Sequence, residues 1–357
     1  MTTRLYLDHA AAAPMLPQAI AAVTDAMARW ANPSSPHKEG RAARATLEDA
    51  RDRARAALGW DGELLFTSGA SESIARIMAG PADARFVSAV EHDAVLRAAG
   101  DAFLLPVGAD GTVAVDTLVG RLGASGARRP LVAIQAANGE TGVIQPLADL
   151  APVVRRAGGR LLADAAQVAG KAPLPPADLL TLSAHKFGGP PGIGALLVRD
   201  LADLAPTGGQ ERGYRPGTEN LPGAIGMAAA LEAQRAWADR ARDLRAHLDG
   251  AIEAAGGVVV AKRTPRLPSV ASYRMPGVPS AQALIQFDMA GIAVSAGSAC
   301  ASGSLRPSHV LAAMGWNEAE AAEVIRVSIG PDTSRAGIYR FVDAWRRIAA
   351  DAAQRAA

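Results

Sequence analysis

Short apolar runs alternate with amphipathic stretches along most of this 357-residue chain, and this alternation restricts the fold more than any other feature. Residues 41–58 place Leu47, Ala50 and Ala54 at three- and four-residue steps, as on one face of a helix. Six apolar runs have the length of buried strands: ELLFTSG, RFVSAVEH, PLVAIQAAN, RLLADAAQ, LLTLSAHK and GALLVRD. The pattern predicts an α/β fold, with helices on both faces of a mainly parallel sheet.

The pattern changes near residue 245, where shorter strands and helices follow one another. We predict a large domain over residues 15–242 and a smaller α+β domain formed by residues 1–14 and 243–357, because the chain is too long for one small core. Helices are also predicted over 147–157, 219–240, 243–255, near 279–290 and from about residue 333.

Charge and composition argue against several classes of function. Lys and Arg total 37 and Asp and Glu total 35, so the net charge of +2 gives no basis for a nucleic-acid partner. No apolar run approaches the ~18 residues of a membrane span, and Asp8 and His9 interrupt the place of a signal peptide's apolar centre. We expect a cytoplasmic protein without a membrane partner. The single cysteine, Cys300, excludes an internal disulfide and a multi-cysteine metal site, and no metal is expected.

A lysine follows the strand in LLTLSAHKFGGPPGIGALLV. Lys186 alone could be a solvated charge, but its neighbours Ser183 and His185 offer donors suited to a phosphate, and the glycines let backbone approach a ligand. No nucleotide P-loop pattern occurs in the chain. We interpret Lys186 as a candidate Schiff-base lysine in a cleft.

Asp164 ends the apolar run in RLLADAAQ, 22 residues before Lys186. It is either a helix N-cap or the carboxylate that holds a pyridine nitrogen protonated, as in cofactors that act as electron sinks. One strand–helix–strand unit would bring Asp164 and Lys186 to the same sheet edge. Gln167 follows three residues later and could face the same site.

Three further runs end in polar groups. LLFTSGASES offers the Ala70 N–H and the Ser71 hydroxyl, which form either an anion site at a helix start or an ordinary capping turn. His92 and Asn138 follow two other strands, and His92 could lie on a cofactor ring and transfer protons. Arg326, in VIRVSIG, needs a partner for its charge, either a substrate carboxylate or a structural ion pair.

Cys300 lies in AVSAGSACASGSLRPSHV, among small and polar residues. A lone cysteine is usually a small buried hydrophobe, but a structural cysteine would be expected inside an apolar run. The composition is typical of a flexible loop. We interpret Cys300 as a thiol that meets a substrate and then moves outward, with a nucleophilicity that depends on thiolate formation.

Together these segments resemble the cysteine desulfurases of the class V aminotransferase group, which are fold-type-I pyridoxal-phosphate enzymes. The resemblance covers nearly the whole chain, and the GSAC segment is specific for desulfurases, particularly the branch with a long mobile cysteine loop. The segments that carry it are, in order, LDHAAAAP, NPSSPH, LLFTSGASES, VEHDAVL, ANGETGVIQP, ADAAQVAGK, SAHKFGGPPGIGAL, GGQERGYRPGTEN and GSACASGSLRPSHVL.

The resemblance implies how pyridoxal 5'-phosphate is held. Lys186 would form a Schiff base with it, Asp164 would pair with its pyridine nitrogen, and Gln167 would bond its ring hydroxyl. His92 would stack on the ring and shuttle protons. The residues implied at the phosphate are the Ala70 N–H, Ser71, Ser183, His185 and, reaching across a homodimer, Thr218.

The resemblance also implies a reaction. Arg326 and Asn138 would bind the carboxylate of L-cysteine, with Asn138 also placed at the cofactor. Cys300 would take the substrate sulfur as a persulfide and release L-alanine. The sulfur would then pass to an acceptor, such as an iron–sulfur scaffold protein, or serve tRNA thiolation.

The sequence departs from the family pattern at a few positions. Gly139 stands where a second Asn is frequent, Ile74 and Ala75 replace polar residues, and Gln210 replaces a frequent His. None of these removes a core catalytic group. The alternatives are a selenocysteine lyase or class V aminotransferase in which Cys300 is not essential, and a non-catalytic partner that keeps the fold.

Overall fold

The computed structural model describes residues 4–233, 237–297 and 307–356, and its largest element is a seven-stranded sheet. Strand β8 is antiparallel to both β2 and β7, whereas the remaining neighbours pair in parallel, so the predicted mainly parallel α/β sheet is confirmed. Across the sheet the order is β2 (Glu63–Thr67), β8 (Gly194–Val198), β7 (Leu179–Ser183), β6 (Arg160–Asp164), β5 (Pro130–Ala133), β3 (Ala84–Ser88) and β4 (Phe103–Leu105).

Helices cover this sheet on both faces, and its central strands are largely apolar and buried. All five residues of β7 and of β8 are buried, as expected for strands enclosed on both sides. The helices of this part of the chain are α1 (Pro17–Ala28), α2 (Lys38–Leu58), α3 (Ala70–Met78), α4 (Asp93–Ala98), α5 (Val115–Ser125), α6 (Leu147–Arg156) and α7 (Leu221–Glu232).

The continuous helix predicted over 219–240 is wrong. Helix α7 ends at Glu232 and the next helix, α8, begins at Ala238. The physical reason is packing: Leu231 belongs to the core under the large sheet, whereas Ala241 belongs to a second core. The predicted helix over 41–58 begins earlier, at Lys38, because the His37 side chain caps its first turn by accepting from the Gly40 N–H.

The second core is built around two small sheets and an aromatic cluster. Tyr273, Phe287, Phe341 and Trp345 are fully buried there, and Leu7 from the start of the chain packs with them. The sheets are the four-stranded β12 (Ser295–Ala296), β13 (Val324–Ser328), β10 (Val270–Arg274), β9 (Val258–Val259), and the pair β1 (Leu5–Tyr6) with β11 (Ile292–Ala293). The helices are α8 (Ala238–Ala254), α9 (Ser280–Met289), α10 (His309–Ala313), α11 (Glu318–Ala321) and α12 (Arg335–Ala356).

The division at residues 14 and 242 stays a prediction. None of the helices in the described parts of the chain combines the length and the apolar character that crossing a membrane requires.

Candidate active site

Lys186 follows β7 in a short 3-10 turn, Ala184–Lys186, at the carboxyl end of the strand. Its Nζ donates hydrogen bonds to the carbonyl oxygens of Ala10 (2.8 Å) and Ala11 (2.9 Å). The lysine is half-buried. It is therefore held against the segment that follows β1 and is not a solvated surface charge.

A cavity of about 70 Å³ lies beside Lys186, and we call it the substrate cavity. Strands β5, β6 and β7 are neighbours in the sheet, so the residues after their carboxyl ends meet there. Arg326 reaches the same cavity from β13 of the second core. The lining residues singled out from the sequence are His92, Asn138, Gln167, Lys186 and Arg326.

Gln167 presents an unpaired acceptor in this region. Its Nε2 donates to the Ala10 carbonyl (3.0 Å), while its buried Oε1 has no hydrogen-bond partner among the described residues. A buried amide oxygen without a partner is costly. The position fits a ligand that donates a hydrogen bond there, as a ring hydroxyl would.

Asp164 ends β6 and is half-buried. Its Oδ1 accepts hydrogen bonds from the Ala166 N–H (3.0 Å) and the Thr181 hydroxyl (3.3 Å). Within the described ranges Oδ2 makes no hydrogen bond, so the capping interaction and a role toward a ring nitrogen are compatible. The donor set at this end of the sheet fits pyridoxal phosphate on chemical grounds.

The predicted phosphate residues lie where β2 and β7 end. The Ala70 N–H at the start of α3 donates to the Ser183 Oγ (2.8 Å), and Ser71 beside it is exposed. Burial, followed by the nearby charge of Lys186 and then that of Lys171, lowers the pKa of His185, which favours a neutral ring.

Close packing leaves no room for a side chain where the turn between β2 and α3 meets β8. A Cβ on Gly194 would lie 2.6 Å from the Cα of Gly69, so the backbone is bare where a phosphate would approach. Thr218 is exposed in the segment before α7, and no described hydrogen bond joins it to these residues. The single chain therefore does not bring Thr218 into the site.

Arg326 is 5% exposed and has a protein partner already. Its Nη2 pairs with Asp8 Oδ1 (2.8 Å) and its Nη1 donates to the Gly139 carbonyl (3.1 Å). The structural ion pair considered from the sequence is therefore present. Its buried Nε still has no hydrogen-bond partner in the described part of the chain, which leaves capacity for an anion.

Asn138 is mostly engaged by its own turn. Its Oδ1 accepts from the N–H groups of Glu140 (2.9 Å) and Thr141 (2.8 Å), and its Nδ2 donates to the Val90 carbonyl (3.2 Å). These bonds position the turn after β5. One N–H of Nδ2 is left for a ligand.

His92 is exposed at the edge of the cavity and begins α4. Its Nδ1 accepts a hydrogen bond from the Ala94 N–H (3.1 Å), so the neutral ring carries its proton on Nε2. The ring is thereby fixed in one orientation. Its Nε2–H can donate a hydrogen bond.

Cys300 lies outside the described residues, but both flanking segments lie beside the substrate cavity. Ser295 in β12 pairs with Arg326 in β13. On the other side, Ser308 donates to a Glu140 carboxylate oxygen (2.6 Å), and His309 lines the cavity.

Several residues of the site were not predicted from the sequence. The partners of Lys186 are backbone carbonyls, which leave no signal in side-chain identity. Asp8 lies in the LDHAAAAP segment, yet its pairing with Arg326 spans 318 positions. Glu91 is adjacent to His92 and lines the cavity, and its buried position has no sequence signal apart from that adjacency.

Sequence comparison places this geometry among known proteins. Residues 5–341 match the family described as aminotransferase class-V. A cysteine desulfurase of Cereibacter sphaeroides is 36% identical over 95% of this chain and 94% of its own length. An IscS-like cysteine desulfurase of Mycobacterium tuberculosis is 36% identical over 93% of each chain.

Solved structures agree in fold. A NifS-like protein of Rickettsia africae superposes with a TM-score of 0.89 at 28% identity, over 97% of this chain and 99% of its own. A structure described as SspA in complex with cysteine gives a TM-score of 0.80 at 28% identity, over 93% of this chain and 100% of its own.

Proposed function

Because this chain belongs to the aminotransferase class-V family and is a cysteine desulfurase, we propose that Lys186 carries pyridoxal 5'-phosphate and that the substrate cavity binds L-cysteine. The observation that carries the proposal is the cavity itself. It places a fixed lysine, an unpaired amide oxygen of Gln167 and a buried guanidinium of Arg326 around one space.

The cofactor residues follow from their positions at the strand ends. When bound, pyridoxal phosphate supplies an electron sink for bond cleavage at the substrate. Asp164 would hold the proton on the ring nitrogen with Oδ2, and Gln167 Oε1 would accept from the ring hydroxyl. The phosphate would be bound by Ala70, Ser71, Ser183, His185 and, from the second subunit of a homodimer, Thr218.

The substrate is oriented through its carboxylate. Arg326 Nε, which has no partner among the described residues, supports a charge-assisted hydrogen bond to it, and the remaining N–H of Asn138 Nδ2 supports a second. Asp8 restrains the guanidinium at Nη2. His92 would take part in proton transfer through Nε2 at the open edge of the cavity, while the Ala94 N–H holds its ring at Nδ1.

Cys300 would accept the sulfur. Its thiolate attacks the sulfur of L-cysteine, so that a sulfur–sulfur bond forms and the carbon–sulfur bond breaks. The electron pair of the broken bond stays with carbon, a proton completes L-alanine, and Cys300 retains a persulfide. The positions of Ser295 and Ser308 support this assignment, since both flanks of the segment lie beside the cavity.

Replacement of Cys300 by Ser tests the assignment. The variant should fold and bind cofactor normally, while alanine production falls about a thousandfold or more, the scale of losing a covalent nucleophile. Mass spectrometry of the wild type after brief exposure to cysteine should show one added sulfur on the peptide that contains Cys300. Near-normal alanine production by the Ser variant would exclude Cys300 as the acceptor.

Borohydride reduction tests the lysine separately. Peptide mapping should place the cofactor on Lys186, and Lys186→Ala should lose the covalent attachment. A cofactor mapped to another lysine would overturn the assignment. A homodimer, a cytoplasmic location and sulfur transfer to an iron–sulfur scaffold protein stay predictions.

A further inference from the structure

Glu91 is a buried carboxyl group in the wall of the substrate cavity. It follows β3 and is 1% exposed. Its Oε1 accepts a hydrogen bond from the Gln135 N–H (2.7 Å), whereas its buried Oε2 has no hydrogen-bond partner in the described ranges. An ionised carboxylate would leave a desolvated charge on Oε2 without compensation, which is strongly unfavourable.

The surroundings favour the protonated form. Burial is the main cause that raises the pKa of Glu91 well above its usual value, the Gln135 N–H opposes the rise, and the negative charge of Asp164 adds to it. Asp164 is half-buried and accepts two hydrogen bonds. Asp164 therefore has hydrogen-bond donors that can stabilise a charge, whereas Glu91 Oε2 has none among the described residues.

The cations of the cavity direct their hydrogen bonds elsewhere. Lys186 donates to the carbonyls of Ala10 and Ala11, and Arg326 donates to Asp8 and Gly139. His309 donates from Nε2 to the backbone carbonyl of Glu91 and not to its carboxyl group. The titratable side chains that line the cavity with Glu91 are His92, Asp93, Glu140, Lys186, His309 and Arg326.

The backbone around Glu91 holds two site residues. The carbonyl of Val90 accepts from the Nδ2 of Asn138 and from the side-chain amide of Gln135. The next residue after Glu91 is His92, whose ring is fixed by the start of α4. A negative charge on Glu91 would therefore lie within the segment that binds Asn138 through Val90 and that contains His92.

We propose that Glu91 is a positioning residue that stays neutral in the working enzyme, holding His92 and Asn138 in place and leaving the negative charge of the carboxyl pair on Asp164. The catalytic consequence rests on the proposed function, because Asp164 needs that charge to face a ring nitrogen. The neutrality of Glu91 does not rest on it.

Glu91→Gln is the informative variant, since an amide is neutral, nearly isosteric, and keeps an acceptor for the Gln135 N–H. Its kcat/KM at neutral pH should fall far less than that of Glu91→Ala, which leaves that N–H unpaired. In the alkaline range the wild-type kcat should fall as Glu91 ionises. Glu91→Gln should lack that limb of the profile.

Cofactor-free protein gives an independent readout. A raised carboxyl pKa in the folded state means that the folded protein binds more protons than the unfolded chain above the usual Glu pKa, so stability falls as pH rises. The urea midpoint of Glu91→Gln should therefore exceed that of the wild type by a margin that grows with pH. Infrared difference spectra should also show a protonated carboxyl band that is missing in Glu91→Gln.

Glu211→Gln is the matched control. Glu211 is also buried, but it is paired with Arg51 (2.6 Å), so neutralising it should lower the urea midpoint. If Glu91→Gln behaves like Glu211→Gln, or loses as much activity as Glu91→Ala, Glu91 is ionised and the inference is wrong. A failure of the proposed function would instead appear as an inactive wild type.

Discussion

Lys171 is a half-buried lysine whose positive charge should reduce the stability of the fold at neutral pH. It follows β6 and lines a second cavity of about 60 Å³ that also borders Lys186. Among the described residues, its ammonium group makes no hydrogen bond or ion pair, although its backbone N–H donates to the Val168 carbonyl (2.9 Å). Burial, then the charges of Lys186 and Arg326, lowers the pKa of Lys171 from 10.5 to about 7.

Replacing Lys171 with Met should remove that cost. A full shift of this size corresponds to about 5 kcal/mol. The residue as a whole is only half-buried, so solvent screening reduces the expected gain to ~2 kcal/mol at and below neutral pH. Because the folded lysine releases its proton before the unfolded one does, wild-type stability rises between about pH 7 and 10.5. The advantage of Lys171→Met should shrink over the same range.

Urea unfolding of cofactor-free protein at about pH 6.5, 8 and 10 measures this difference. Lys38→Met is the control, because Lys38 is exposed at the start of α2 and should show almost no change at any of these pH values. The gain should also be smaller in a Lys186→Ala background, since one of the repelling charges is absent. A variant that is less stable at low pH, or a gain that does not vary with pH, would refute the reasoning.

Three further predictions concern packing, a buried ion pair and substrate binding. Gly330→Ala would place a Cβ in steric conflict with the His9 ring, so the free energy of unfolding should fall by ~1–3 kcal/mol and the melting temperature should fall with it. Arg51→Met leaves the Glu211 carboxylate unpaired and should cost about 3–5 kcal/mol in urea unfolding, while a double variant with Glu211→Gln should cost less than the sum of the single variants. Arg326→Lys should raise KM for L-cysteine about tenfold or more with a smaller effect on kcat, because an ammonium cannot reproduce the planar guanidinium; an unchanged KM would exclude Arg326 from carboxylate binding.

The strand pattern carried most of what could be predicted. Each of the six apolar runs became a strand of the large sheet. The polar residues after five of them meet at one edge because those strands share a direction, whereas β8 runs the opposite way. Lys186, Asp164 and His92 could be proposed as site residues from the sequence because the chemistry at a strand end depends on which side chains stand there.

The rest depended on contacts that sequence spacing does not contain. The pairing of Arg326 with Asp8 joins residues 318 positions apart, and the protonation of Glu91 depends on enclosure and on Asp164 from another strand. The break between α7 and α8 was missed because both segments have helical patterns and differ only in the core against which they pack.

The N-terminal segment that contacts Lys186 also determines when, during synthesis, the site can form. Residues 5–8 pair with β11 and with β13, and the same segment continues to the carbonyls that accept from Lys186. A ribosome makes β13 long after residues 5–8, so an emerging chain can complete the large sheet while this segment still lacks its partners. Residues 5–8 are therefore fixed next to the two carbonyl partners of Lys186 only late in translation. A nascent chain stalled before residue 324 should not hold Lys186 in its final position. An incomplete chain would therefore lack the complete site.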